Sequence, residues 1–368
     1  MSKLNVSRLT NENEDGAPAV SGISTFSSTA FLVPPSGTTA QRPEFVQPGM
    51  IRFNTDSGHL EYYDGVEWTE VLVANNDLDG GNRGLFMGGG PSITNTVDYI
   101  TISTLGNASD YGDLTQARWT GASAASSTRA ITAGGETAAI VNTIDFATFA
   151  STGNFSDFGD LVTAVGQGVG GASSQTRGIF GGGGTPTRTN TIQYITIASA
   201  GNSVDFGDLT QSKDSGGEGV CSSSTRGIFA GGIVGPAKVN TIEYITISTL
   251  GNALDFGDLT LARGTVGVLS NSTRGVFAGG EPNTNIIDFI TIASFGDAQD
   301  FGDLLTAGYS RAGVSSPTRG CFGGGATPSL TNVIEYVEIL STGNSQDFGD
   351  LTRTNRGMTS CSNGHGGL

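Results

Sequence analysis

Apolar positions in this chain fall in short runs separated by glycine, serine and asparagine, and beyond residue 82 the runs recur in a fixed order. RGVFAGG (274–280) is apolar and ends in paired glycines, while GTVGVLS (264–270) is made of small residues. NTIEYITI (240–247) sets Ile242, Tyr244 and Ile245 or Ile247 on apolar faces with Glu243 and Thr246 between them, and ALDFGDL (253–259) is a shorter run. β-branched and aromatic residues in this alternation predict strands. No segment combines a helical apolar period with caps. The expected fold is all-β, with four strands to each repeat.

An arginine opens each copy, at Arg83, Arg129, Arg177, Arg226, Arg274 and Arg319, at intervals of 46, 48, 49, 48 and 45 residues. Four-stranded units cannot bury both faces alone, so the copies have to stack, and radial stacking leaves only short, protected edges. The stretch before each arginine is small (GASAAS, GVGGASS, GEGVCSSS, GTVGVLS), as suits strands crowded round an axis. The repeats are also out of phase with the chain. ANNDLDGG before Arg83 is unlike the small strand, whereas the C-terminal TRTNRGMTSCSNGHGGL (352–368) matches it. The tail is therefore expected to complete the first unit, closing a six-bladed β-propeller over residues 76–368.

Each copy resembles a kelch repeat: a strand ending in Gly-Gly (Gly279–Gly280), an aromatic in the next strand (Tyr244), a further aromatic (Phe256), and often an arginine (Arg118, Arg263, Arg311, Arg356). It departs from the kelch pattern in placing Phe or Tyr where a Trp is usual. The resemblance covers about four-fifths of the chain and implies architecture; propellers serve binding, catalysis and scaffolding alike.

Residues 1–49 are polar, rich in Ser, Thr and Pro, and read as an extended arm. In 50–75, the turn signals DSG (56–58) and DG (64–65) divide a small β-meander, with Ile51, Phe53, Leu60, Tyr62, Val66 and Trp68 expected on one face. So small a unit needs partners to bury a core. GMIRFNTDSGHLEYYDGVEWTEV resembles a module of tailed-bacteriophage fibre and virion structural proteins. What that resemblance implies is a virion protein made in the host cytoplasm. It would attach to other virion proteins through residues 1–75, form a homo-oligomer (a trimer above all) and display the propeller outward.

Composition narrows the chemistry. A net charge of −16 argues against gripping nucleic acid or an anionic membrane, and no apolar stretch is long enough to span a bilayer. With only His59 and His365, a multi-histidine metal site is out of reach of one chain. Cys221, Cys321 and Cys361 are odd in number and expected as buried free thiols. No cofactor, metal or catalytic residue is assigned.

The recurring DFGDL (Asp255–Leu259 and its counterparts) lacks the companions of a kinase metal triplet and is expected to supply a packing aromatic and turn-capping Asp; a calcium site is the minor alternative. Asn95, Asn142, Asn190, Asn240, Asn285 and Asn332 are expected to fix loop exits by side-chain bonds, and the repeated arginines to tie adjacent blades through carbonyls or acids.

The loops after Gly-Gly vary between copies while STLGN and SNST stay nearly constant, so a recognition surface is expected on the varied face, at Thr94, Thr137, Arg188, Lys238, Asn283 and Ser329. The favoured function is non-enzymatic binding of a host-surface receptor or glycan by a tail fibre or appendage. A purely structural capsid or tail decoration is the alternative, and a propeller glycan hydrolase ranks last.

Overall fold

The recurring runs form strands in the computed structural model of the protein, which describes residues 34–71, 82–185, 187–214 and 220–368. The chain divides into two units, Met1–Asn75 and Asn76–Leu368. Among the described residues the only helical element is a 3-10 turn at Thr39–Gln41. The protein is all-β and propeller-like in its arrangement of four-stranded antiparallel sheets.

In the larger unit the described strands make six such sheets. The second contains Ala122–Ala125, Arg129–Ala133, Thr143–Thr148 and Ser156–Asp160 in consecutive order, and the third to sixth repeat that order. The first sheet differs. Its small-residue strand is the C-terminal Thr359–Ser362, which pairs antiparallel with Arg83–Met87, Thr359 opposite Met87 and Ser362 opposite Gly84. Thr96–Thr101 and Ser109–Asp113 complete it.

The small-residue strands touch in succession: second with third, third with fourth, fourth with fifth, fifth with sixth, sixth with first, and first with second. Apolar cores fill the spaces between sheets. Ile228, Ile242 and Phe256 of the fourth sheet pack with Phe277 and Ile290 of the fifth, and Phe86 and Ile100 of the first pack with Cys321 and Phe348 of the sixth. Each such side chain contributes about 1.5–3 kcal/mol on burial.

Two polar devices accompany these cores. The DFGD glycine sits at a bulge; in the third sheet it is Gly207, φ +148°. Its missing side chain admits the next sheet's loop, since a Cβ there would lie 2.5 Å from the Gly251 carbonyl oxygen. Gly251 N–H then donates to Phe206 O at 3.0 Å and Asp208 N–H to Asn252 Oδ1 at 3.0 Å. The sixth and first sheets meet in the same way, through Gly106 N–H to Phe348 O at 3.0 Å and Asp350 N–H to Asn107 Oδ1 at 3.0 Å.

The repeated arginine is the second device. Arg177 stacks over Tyr194 of its own sheet, 4.9 Å from the ring centroid, and donates to Ile247 O of the next at 2.9 Å. Arg319 of the sixth sheet lies over Tyr336 at 4.6 Å and donates to Ile102 O of the first at 3.3 Å.

The loop-exit asparagines work differently from the expectation. Their common contribution is the backbone carbonyl, which accepts from the DFGDL leucine N–H, as in Leu259 to Asn240 at 2.7 Å. Side-chain bonds of the expected kind occur at Asn190 and Asn332. The leading Asp of each DFGDL is exposed on the outer strand rather than capping a turn. A row of carboxylates there protects the edge from pairing with another chain.

In the smaller unit, Ile51–Asn54, His59–Tyr63 and Trp68–Val71 form the meander, and Ser36–Gly37 adds a parallel strand. Residues 1–33 of the expected arm lie outside the described residues. Ile51, Phe53, Leu60 and Tyr62 share a face, with Ile51 54% and Phe53 37% exposed. Trp68 does not join them. It pairs with Tyr63 on the opposite face, and Val66 stands exposed in the turn. A turn shifts the alternation of the strand that follows it, so the period read through Val66 placed Trp68 on the wrong side.

Beside the Tyr63–Trp68 pair the face carries a buried polar group, Arg52, Asn54 and Glu61. Glu61 takes Arg42 at 2.6 Å, Arg52 at 3.5 Å and Asn54 at 3.1 Å, and the Arg42 guanidinium holds its carboxyl below the usual range.

Candidate functional site

The varied loops after Gly-Gly share one end of the sheets with the connections that lead into the next small strand. Between the third and fourth sheets these two sets of loops border an open cavity of about 510 Å³, lined by Gln167, Thr187, Arg188, Ser212 and Asp214 with Gly184 and Gly235. A short hairpin, Gly184–Thr185 paired with Thr187–Arg188, carries Arg188. Its Nη1 donates to Gly235 O of the facing loop at 2.8 Å, which holds the guanidinium across the gap. Asp214 is fixed from behind by reciprocal backbone bonds with Ile233, at 3.0 and 2.8 Å.

A guanidinium, a carboxylate, a carboxamide and hydroxyls thus converge on one volume. Such a set can hydrogen-bond a polyhydroxylated ligand. Among the described residues the cavity lining contains no histidine, cysteine or lysine to pair with its hydroxyls as a nucleophile and base. Among the described residues no group of three His, Cys, Asp or Glu is placed to hold a metal ion. No helix among them is long and apolar enough to cross a membrane.

Of the six residues singled out from sequence, Arg188 lines this cavity. Lys238 instead spans to the fifth sheet and pairs with Glu281 at 3.4 Å. Thr94 serves its own loop: its Oγ1 accepts from Arg353 at 2.8 Å and from Thr96 N–H at 3.2 Å. Thr137 closes a turn onto Ala139 O at 3.0 Å. Asn283 and Ser329 are exposed. Gln167, Ser212 and Asp214 were not anticipated, although VGQG and SKD vary between copies as much as the loops that were chosen.

Charged pairs between sheets form a separate, buried set. Arg118 meets Asp145 at 2.8 Å, Lys213 meets Glu243 at 2.7 Å, Arg263 meets Asp288 at 2.8 Å and Arg311 meets Glu335 at 3.1 Å. Glu243, read as lying between the apolar positions of its strand, is fully buried together with Lys213. Burial pushes the Lys213 ammonium down, and Glu243 opposes that shift.

In the sixth-to-first connection the expected arginine, Arg356, is displaced by one residue. Asn355 occupies the buried position and donates to Gly88 O at 2.8 Å, while Arg356 reaches Tyr309 Oη at 3.1 Å. Next to it, burial raises the Asp98 carboxyl although Thr352 donates to it at 2.8 Å. The thiols of Cys221, Cys321 and Cys361 are free and buried. These groups hold sheets together and do not reach the cavity. No protein-family model matches the sequence, and no curated protein matches it.

Proposed function

We propose that the protein is a non-enzymatic virion component of a tailed bacteriophage whose larger unit, a closed six-bladed kelch-like propeller, binds a host-surface glycan or similar receptor. The observation that carries the binding role is the cavity where Arg188, Asp214, Gln167 and Ser212 converge from varied loops on a fixed scaffold. Closure is supported by the pairing of Thr359–Ser362 with Arg83–Met87, and by the Gly-Asn clamp and arginine tie that join the sixth sheet to the first as they join other neighbours.

Attachment through residues 1–75 and assembly into a homo-oligomer, a trimer above all, rest on the module resemblance and on the smaller unit. That unit buries Glu61 against Arg42 and Arg52 and turns Ile51, Phe53 and Tyr62 outward. An apolar face on so small a sheet gains by meeting its own copies.

Binding of the full chain to host cells and to a glycan array tests the reading. Arg188→Ala is expected to weaken binding about tenfold or more, as the loss of a charged hydrogen-bond donor worth about 1.5–3 kcal/mol would, with the melting curve unchanged. No binding to cells or glycans would leave the decoration role. Hydrolysis of a host polysaccharide, abolished by one Asp substitution, would replace both with an enzyme.

A further inference from the structure

Each small-residue strand of the larger unit ends in one position of a ring: Ser362, Ala125, Ser173, Ser222, Ser270 and Ser315. Hydroxyls stitch much of this ring together. Ser270 donates to Ser222 O at 2.9 Å, Ser315 to Ser270 O at 2.7 Å and Ser362 to Ser315 O at 2.6 Å. At Ala125 O, where Ser173 would donate in the same pattern, the imidazole of His365 enters instead, its Nε2 3.1 Å from Ala125 O and 3.3 Å from Ser173 Oγ.

The partners fix the tautomer. Ala125 O can only accept, so Nε2 carries the proton; Gly367 N–H can only donate, so Nδ1, at 3.0 Å, is bare. The rest of the tail is threaded to match. Gly366 N–H donates to Ser270 O at 3.0 Å, and Asn363 exchanges bonds with the Arg83 backbone at 2.8 and 3.2 Å. A Cβ at Gly366 or Gly367 would collide with the Ser222 or Ser173 carbonyl oxygen. Beneath His365 lies a channel cavity of about 50 Å³, bordered by ring residues that include Ser222, Ser270, Ser315 and Ser362, while the Cys221 and Cys361 side chains pack into the apolar cores between sheets.

We propose that Gly364–Leu368 is a plug that seals this end of the channel at neutral pH and is released when His365 takes up a proton. The proton can enter only at Nδ1, where it faces the Gly367 N–H and breaks the tail's internal bond. No side-chain counter-charge awaits the imidazolium. The channel side presents hydroxyls such as Ser123, Ser222 and Ser270, and the mouth above presents Asn82, Ser127, Gln175 and Asn363 together with Leu368, whose α-carboxylate is the one charge among the described residues lining either side. Burial accordingly pushes the imidazole down to about 4. A histidine held neutral in the fold supports that state fully above its ordinary value of 6.5 and loses the support as pH falls toward 4.

Thiol labelling of the full chain carrying Ser270→Cys with 4,4′-dithiodipyridine, read by peptide mass spectrometry, tests the plug, because Ser270 belongs to the ring that lines the channel cavity. Rates are normalised to a free cysteine peptide at each pH. The native Cys221, Cys321 and Cys361, buried in the apolar cores between sheets, report any opening of the whole protein. Going from pH 7 to pH 4 is expected to speed labelling at position 270 at least tenfold while the native thiols stay protected. Adding His365→Ala should produce the fast rate already at pH 7, and adding His365→Gln, a neutral donor, should abolish the pH step. Equal rates at both pH values, native thiols labelling in step with position 270, or a pH step that survives in His365→Gln would each overturn the proposal.

Discussion

Deleting residues 353–368 is expected to abolish the cooperative unfolding transition of the larger unit. The deletion removes the strand Thr359–Ser362, leaving the edge of Arg83–Met87 without its partner. It also takes away Met358 and Cys361, both buried, the Asn355 bond to Gly88 and the Arg353 bond to Thr94. Two buried apolar side chains at about 1.5–3 kcal/mol each, together with ladder hydrogen bonds at about 1 kcal/mol each, reach about 5 kcal/mol or more. That is comparable to the whole stability of an ordinary domain. The bared strand is also a template for aggregation. Urea titration followed by circular dichroism checks this: the truncated chain should show no sharp transition or should precipitate. A truncated chain that unfolds like the full one would mean that the tail strand is dispensable.

The second large effect concerns Lys213. With both its ammonium and Glu243 fully buried and 2.7 Å apart, Lys213→Met leaves a carboxylate in the interior that keeps, among the described residues, a hydrogen bond from Thr210 N–H at 2.6 Å. Breaking one side of such a pair costs about 3–5 kcal/mol, whereas replacing both sides is far milder. The urea midpoint should therefore fall sharply in Lys213→Met and recover most of the loss in Lys213→Met/Glu243→Gln. Equal losses in the single and double variants would show that the pair is not coupled.

The sheets were legible because their signal is repeated: arginine, paired glycines, an alternating strand and DFGDL recur at nearly constant spacing. The offset of the small strand could be read for the same reason, since the tail matched a segment found in the other copies. Side chains whose role is set by a neighbouring sheet were not legible. Glu243 follows the alternation of an outward residue, yet the connection arriving from the preceding sheet buries it against Lys213. Asn355 and Arg356 are adjacent, and only the geometry of the Gly88 turn decides which of them is enclosed.

In the candidate site, Arg188 could be picked out as a charged residue in a varied loop. Asp214 and Gln167 could not, because they come from connections whose convergence with that loop depends on how two sheets stand beside each other. His365 is the extreme case. Its setting depends on the backbone carbonyl of Ala125, 240 residues away in sequence. Trp68 failed for a local reason, a turn that changes which face the next strand presents.

The central claim is that the ends of the larger unit meet within one chain. Native Cys361 lies opposite Leu85 in the register of the first sheet. Leu85→Cys places a second thiol across that pair, and mild oxidation followed by mass spectrometry under denaturing conditions reads the outcome. The account predicts a disulfide within one chain, with a loss of about 2 Da and faster gel migration than the reduced form. Free thiols after oxidation, or disulfide-linked dimers in their place, would contradict closure of the ring by its own C-terminal strand.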